Sequence, residues 1–257
     1  MNEKIARIIK SKSERKLVCL TAYSKPISKI VDKYCDIILV GDSVATAFYG
    51  MKDTRSIKID TMINHAKCVK QNSKRSLLVF DMPKNTYRNI REAKTNAKKI
   101  IKSVKFDAIK IESNGRNYNL IKNLVNSGFQ VMGHIGYTPQ FKKKFKVQGS
   151  KKQEEKKLIE DAKMIENAGA FSIVLECITK KVAKSITKTL KIPTIGIGSS
   201  NSCDGQILVT DDLLGLSGFY PRFVKKYVNL ENIIDRAIRK FKKDVKNKNF
   251  PSKKNEY

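Results

Sequence analysis

No apolar run in this chain approaches the length of a membrane span. The segment from Met1 to Lys16 is charged and has no apolar core, so it is not a secretory signal, and a cytoplasmic location is expected. Cysteine is sparse and scattered: Cys19, Cys35, Cys68, Cys177 and Cys203 form no C-x-x-C pair, and the only histidines are His65 and His134. That argues against a structural zinc site and for free thiols. A glycine-rich phosphate loop is also missing, because the first apolar run ends in Thr21-Ala22-Tyr23-Ser24. Acidic residues are scarce too: 24 Asp and Glu stand against 53 Lys and Arg, a formal net charge of +29. An excess of that size raises the question of a nucleic-acid binder. A binding footprint clusters on one face or element, whereas these lysines run through every helical segment. They are read as solvated helix faces, with no specific nucleic-acid partner.

What is present suits a folded enzyme. A chain of 257 residues accommodates one α/β barrel or two small domains and buries a core without staples. Short, nearly continuous apolar runs lie at Leu17–Ala22, Ile37–Val40, Ser76–Phe80, Ala108–Ile111, Gln130–Gly133, Phe171–Leu175, Thr194–Ile197 and Gln206–Val209. Runs of this kind mark parallel strands buried on both faces. Helical patterns occupy Pro26–Lys33, Asp60–Gln71, Ile90–Val104, Asn117–Asn126, Lys152–Asn167 and Lys180–Leu190. Gly128 and Gly169 each follow a helix just before a strand, the usual place for glycine. Eight such units specify a closed (β/α)8 barrel better than an open sheet. The expectation is a single barrel domain over 1–257, with a last helix at Leu230–Phe241 and a frayed lysine-rich tail from about residue 242.

The candidate site lies at the strand ends. Asp42 follows the second strand and Asp81 the third. Lys110 and Glu112 close the fourth, His134 the fifth and Glu176 the sixth. Carboxyl ends of barrel strands converge on one mouth, where barrel enzymes build their active sites. Lys110 and Glu112, two apart, share one strand face and would point inward while Ile109 and Ile111 pack outward. Each residue has a plainer explanation. The aspartates suit turns or helix caps, His134 a satisfied core histidine, and Lys110 with Glu112 a structural ion pair. Five strands ending in such residues are hard to obtain from turns alone. Carboxylates without soft ligands suit a hard cation, Mg²⁺, and a neighbouring lysine suits a substrate carboxylate. The residues therefore point to a Mg²⁺-assisted enzyme acting on a small anionic oxo compound.

The ordered motifs Val40-Gly41-Asp42-Ser43, Asp81-Met82-Pro83, Lys110-Ile111-Glu112, Gly133-His134-Ile135-Gly136-Tyr137-Thr138-Pro139-Gln140, Val147-Gln148-Gly149, Leu175-Glu176-Cys177, Ile195-Gly196-Ile197-Gly198, Asp204-Gly205-Gln206-Ile207-Leu208-Val209 and Pro221-Arg222-Phe223-Val224 resemble the ketopantoate hydroxymethyltransferase family, from about Thr21 to Tyr227. The resemblance implies a (β/α)8 barrel, commonly a homo-oligomer of ten subunits. It implies Mg²⁺ on Asp42 and Asp81, with Glu112 as a third metal-associated carboxylate. Asp42, Ser43, Asp81 and Lys110 would hold the 2-oxo acid, His134 would line the site, and Glu176 would be the proton acceptor. The implied reaction joins 3-methyl-2-oxobutanoate to the one-carbon unit of 5,10-methylenetetrahydrofolate. The chain departs from the family pattern at Ser24, Ala45, Lys84, Asn85, the segment 141–146 and Ser199-Ser200, all of them off the metal and catalytic positions. The competing readings are a Mg²⁺-dependent aldolase or lyase on another 2-oxo acid and, more remotely, a basic nucleic-acid-binding protein. Binding to random oligonucleotides should be weak and steeply salt-dependent. A sequence-selective complex that survives physiological salt would overturn the reading of the lysines.

Overall fold

A computed structural model of the chain describes residues 2–142, 144–218 and 220–257; Lys143, in the departing segment 141–146, lies outside them. Eight parallel strands close in chain order into a barrel. They are β1 (Leu17–Thr21), β2 (Ile37–Val40), β3 (Leu77–Asp81), β4 (Ala108–Glu112), β5 (Val131–Gly136), β6 (Ser172–Glu176), β7 (Thr194–Ile197) and β8 (Gly205–Leu208). The ring closes where β1 pairs in parallel with β8. The helices of this part are α1 (Glu3–Lys10), α2 (Lys25–Val31), α3 (Val44–Ala47), α4 (Ile59–Asn72), α5 (Ile90–Val104), α6 (Tyr118–Asn126), α7 (Lys152–Asn167) and α8 (Lys180–Thr189). A 3-10 turn at Thr54–Ser56 precedes α4. The expected strands are all present. The largest change is β5, which runs three residues past its expected end and so puts His134 inside the strand.

The two faces of the strands build two cores. Inward residues such as Ile37, Leu39, Leu77, Val79, Met132 and Val174 pack together with Ile5 and Ile8 of α1. Outward residues such as Ile38, Val40, Phe80, Ile109, Ile111 and Leu175 pack beneath α4 to α8. The alternation follows from the two-residue period of a strand, here apolar on both faces. Helix α1 was not expected from the sequence. Its Asn2 cap accepts from the Lys4 backbone N–H at 2.9 Å, and Ile5 and Ile8 close the amino-terminal end of the barrel.

That end is stitched by acids that precede strands. Asp36 accepts from the Val18 N–H at 3.0 Å and pairs with Arg15 at 2.8 Å. Asp107 accepts from the Leu78 N–H at 2.9 Å. Asp204 accepts from the N–H and hydroxyl of Thr194 at 2.8 and 2.9 Å and from Lys12 at 2.8 Å. Next to it, a side chain at Gly205 would come within 2.7 Å of Leu17 Cβ, so β8 can close on β1 only with glycine there.

The chain divides into two compact units, one ending at Thr210 and the other spanning Asp211–Tyr257. A short helix α9 (Thr210–Leu214) crosses that boundary, and the second unit holds α10 (Leu230–Lys246). The last helix thus continues five residues beyond its expected end at Phe241, and the lysine-rich stretch from 242 begins as helix rather than frayed tail. No residue of α10 is buried; Ile233, Ile234, Ile238, Phe241 and Val245 are all exposed. No helix among the described residues is long and apolar enough to cross a membrane.

The Asp204 network gives a pH signature. Burial raises its proton affinity, but Lys12 and the Thr194 donors outweigh this and hold the carboxyl below the ordinary range. A depressed native pKa contributes stability above the unfolded pKa, and that contribution disappears as pH falls through the native value. Asp204→Asn should therefore cost about 1.5–3 kcal/mol near neutral pH, as expected for losing hydrogen bonds to a charged group. In urea unfolding, the gap between wild type and variant should close as pH falls below about 4. A gap that stays constant from pH 7 to pH 3 would contradict this assignment.

Candidate active site

The carboxyl ends of the strands gather the sequence-derived residues at the opposite mouth. Asp81 ends β3 beside Lys110 of β4, as the β3–β4 register requires. The Lys110 ammonium donates to both Asp81 oxygens at 2.8 Å, and both side chains are buried. Asp42, just after β2, turns its backbone N–H to Asp81 Oδ2 at 3.3 Å and accepts the Gln140 amide at 3.0 Å on Oδ2. Neither aspartate is a helix cap, since Ser43 occupies the cap position of α3 and Asn89 that of α5. Ser43 lies beside Asp42, its hydroxyl 2.7 Å from that of Tyr23.

A second cluster is threaded by His134. Its Nδ1 lies 3.5 Å from Glu112 Oε1 and its Nε2 lies 3.1 Å from Glu176 Oε2. The β4–β5 and β5–β6 registers set Glu112 beside His134, and Gly136 beside Glu176. Neither ring nitrogen, nor Glu112 Oε1, makes an aligned hydrogen bond, so charge holds the trio. Gly136 makes the arrangement possible. Its φ is +100°, and a Cβ there would fall 2.1 Å from the Glu176 carbonyl oxygen. The chain then turns back over the mouth, where the Tyr137 N–H donates to that same carbonyl at 2.8 Å.

The electrostatics follow from burial. Burial first, then the Asp81 charge, pushes the Asp42 carboxyl well above the usual range. Burial likewise lifts Glu112, although His134 and Lys110 pull the other way. Lys110 is held charged: burial disfavours its ammonium, but Asp81, Glu112 and Asp42 outweigh that. Burial and Lys110 work against a charged His134, yet Glu112 and Glu176 raise it to about 9. It is therefore an imidazolium at neutral pH. Glu176 is the accessible member of the set, with a side chain 18% exposed against 0% for Glu112.

Lys110 thus pairs with Asp81, and among the described residues no ion pair serves Asp42, which leaves an excess acidic group. A divalent hard cation would offset that excess, and Mg²⁺ is commonly held by one or two carboxylates plus water and substrate oxygens. Among the described residues, no three His, Cys, Asp or Glu side chains are grouped as a metal cage. Asp42 and Asp81 form the adjacent pair. Glu112 is turned instead to His134 and to the Gln140 backbone N–H, 3.1 Å away.

Sequence reasoning picked out the charged residues and missed the amide and phenol between them, Gln140 and Tyr87. Both are buried, and the Tyr87 hydroxyl donates to Gln140 Oε1 at 2.6 Å. The signal was the Gly136 to Gln140 motif itself, whose turn carries Gln140 inward. The departures lie around this centre. Lys142 donates to the Gly136 carbonyl at 2.6 Å and to Gln148 at 2.8 Å, fastening the loop after β5. Asn85 takes a left-handed φ of +67°, which asparagine tolerates. A cavity of about 280 Å³ adjoins this loop, lined by Ser113, Asn114, Gly136, Thr138, Phe141 and Lys142 among others.

In a comparison of folds, the chain is similar to phosphonopyruvate hydrolase, solved in complex with oxalate and Mg²⁺, with a TM-score of 0.63 at 13% identity over 98% of this chain and 93% of the other. It is similar in the same way to 2,3-dimethylmalate lyase of the PEP mutase/isocitrate lyase superfamily, with a TM-score of 0.63 at 13% identity over 97% and 89%. Sequence relatives are much nearer. The 3-methyl-2-oxobutanoate hydroxymethyltransferase of Pelagibacter ubique is 51% identical over the full length of both chains. That of Thermosipho africanus is 45% identical over 98% of this chain and 97% of its own. The family model for ketopantoate hydroxymethyltransferase matches residues 2–253, and the chain belongs to that family.

Proposed function

We propose that this protein transfers a hydroxymethyl group from 5,10-methylenetetrahydrofolate to 3-methyl-2-oxobutanoate, giving 2-dehydropantoate, with Mg²⁺ held by Asp42 and Asp81. The observation that carries this reading is the pairing of two buried aspartates around one lysine, beside an accessible glutamate held by a charged histidine. The runner-up, a Mg²⁺-dependent lyase on another 2-oxo acid, has the fold likeness at 13% identity on its side. The transferase has relatives at 45% and 51% over nearly the whole chain.

The C–H beside a ketone is too weakly acidic for an unaided carboxylate, so the site must stabilise negative charge on oxygen. Asp42 and Asp81 would hold the Mg²⁺, which would supply Lewis-acid charge for the negative charge that develops on the substrate. Lys110 adds a fixed positive charge beside Asp81, and Ser43 offers a hydroxyl next to Asp42. Glu112 stands behind this pair and pins both His134 and the Gln140 backbone. Glu176 takes the proton from C3 of the oxo acid. The imidazolium of His134, 3.1 Å away, orients Glu176. Water cleaves the two C–N bonds of the folate methylene, releasing tetrahydrofolate and a one-carbon unit at the formaldehyde level; the carbon nucleophile adds to that carbonyl carbon, and the alkoxide formed takes back the proton held by Glu176. The same reading makes the protein a cytoplasmic homo-oligomer, decameric as is common in the family, and the exposed apolar residues of α10 support self-association.

Glu176→Gln keeps the shape of the side chain and removes its basicity. The 2-oxo acid should still bind with Mg²⁺. Proton exchange at C3 of 3-methyl-2-oxobutanoate in heavy water, measured by NMR without folate, should slow by roughly two to four orders of magnitude, as for loss of a general base. Exchange at the wild-type rate would assign the base to another residue.

A further inference from the structure

Gln140 is a fully buried side chain whose contacts reach three other strand ends. It arrives from the turn after β5. Its backbone N–H donates to Glu112 Oε2 at 3.1 Å, at the end of β4. Its amide Nε2 donates to Asp42 Oδ2 at 3.0 Å, just past β2, and to the Met82 carbonyl at 3.1 Å, just past β3. Its Oε1 accepts from the Tyr87 hydroxyl at 2.6 Å.

These contacts fix which way round the amide lies. The Met82 carbonyl can only accept, so the nitrogen must face it and, with it, Asp42. A flipped amide would set oxygen against a carbonyl and a carboxylate inside the protein, leaving buried acceptors opposed and unsatisfied. Tyr87 closes the network from the other side, because its hydroxyl gives its proton to Oε1. Packing alone requires none of this. An apolar side chain of similar length would fill the same space and leave Asp42 Oδ2 without this donor.

We infer that Gln140, oriented by Tyr87, is a positioning residue that fixes the Asp42 carboxylate relative to Asp81 and Glu112 and thereby sets the affinity of the site for a divalent cation. The inference rests on the proposal that Asp42 and Asp81 hold the metal. Neither Gln140 nor Tyr87 touches the metal or the reacting carbon; both act through Asp42 and Glu112.

The test uses the intact chain and Mn²⁺ as a spectroscopic stand-in for Mg²⁺, with free Mn²⁺ measured from its paramagnetic resonance signal during titration. Four variants are compared with wild type: Asp81→Asn, Gln140→Met, Tyr87→Phe and the Tyr87→Phe/Gln140→Met double. Melting temperatures are recorded in parallel. Gln140→Met should weaken Mn²⁺ binding about 10–100-fold, the usual cost of losing a partner that orients a metal ligand. Tyr87→Phe, which keeps the ring and removes only the hydroxyl, should weaken it less, in the same direction. The double variant should bind no more weakly than Gln140→Met alone, because the hydroxyl acts only through the amide. At saturating Mg²⁺, C3 exchange in Gln140→Met should return to near the wild-type rate, since Glu176 and His134 are untouched. Wild-type Mn²⁺ affinity in both Gln140→Met and Tyr87→Phe overturns the inference, and so do additive losses in the double variant. If Gln140→Met does not fold, Tyr87→Phe decides alone. If Asp81→Asn binds Mn²⁺ as wild type does, the metal assignment itself is overturned, and the inference with it.

Discussion

Lys110 holds both oxygens of Asp81 at 2.8 Å inside a barrel lined in part by Leu39, Val79 and Met132. An unpaired carboxylate in that position would cost several kcal/mol. The ion pair therefore makes room for charge, and the rest of the mouth is arranged around it. Asp42 can sit against Asp81 because Lys110 already balances one charge and Gln140 donates to the other carboxylate. Glu112 and Glu176 share the imidazolium of His134 in the same way. Among the described residues of the mouth, the acidic side chains Asp42, Asp81, Glu112 and Glu176 outnumber the cations Lys110 and His134.

The barrel separates acids by direction, and this separation is only half legible in sequence. Asp42, Asp81, Glu112 and Glu176 stand at or just past carboxyl ends and meet at one mouth. Asp36, Asp107 and Asp204 stand just before strands and bind backbone N–H groups at the other end. Apolar runs interrupted by acids showed where the strands ended, so the first group was found from residue order alone. The Asp204-Gly205-Gln206 motif belongs to the second group. In the structure it closes β8 onto β1 and ties down Lys12. Motifs at the closed end of a barrel serve stability, and those at the open end serve chemistry.

What the sequence hid has physical reasons too. Helix α1 is a short lysine-rich segment in which only Ile5 and Ile8 are buried, so its role as a plug depends on a barrel end that does not exist until the strands close. Gln140 and Tyr87 carry no charge and no motif chemistry of their own. Their role arises from a turn that depends on Gly136 at φ +100° and brings the chain back across three strand ends. The end of α10 was misjudged because its last turn is rich in lysine, and lysine is compatible with both an exposed helix and a frayed tail.

The proposed Mg²⁺ and 2-oxo acid would together offset the excess of acidic side chains at the barrel mouth. The most direct measurement is turnover by the purified protein of 3-methyl-2-oxobutanoate with 5,10-methylenetetrahydrofolate, followed by product analysis with and without Mg²⁺. The expected result is 2-dehydropantoate formed in proportion to folate consumed, lost on chelation and restored by added Mg²⁺. Product formation unaffected by chelation, or no transfer from folate while another 2-oxo acid is cleaved, would contradict it.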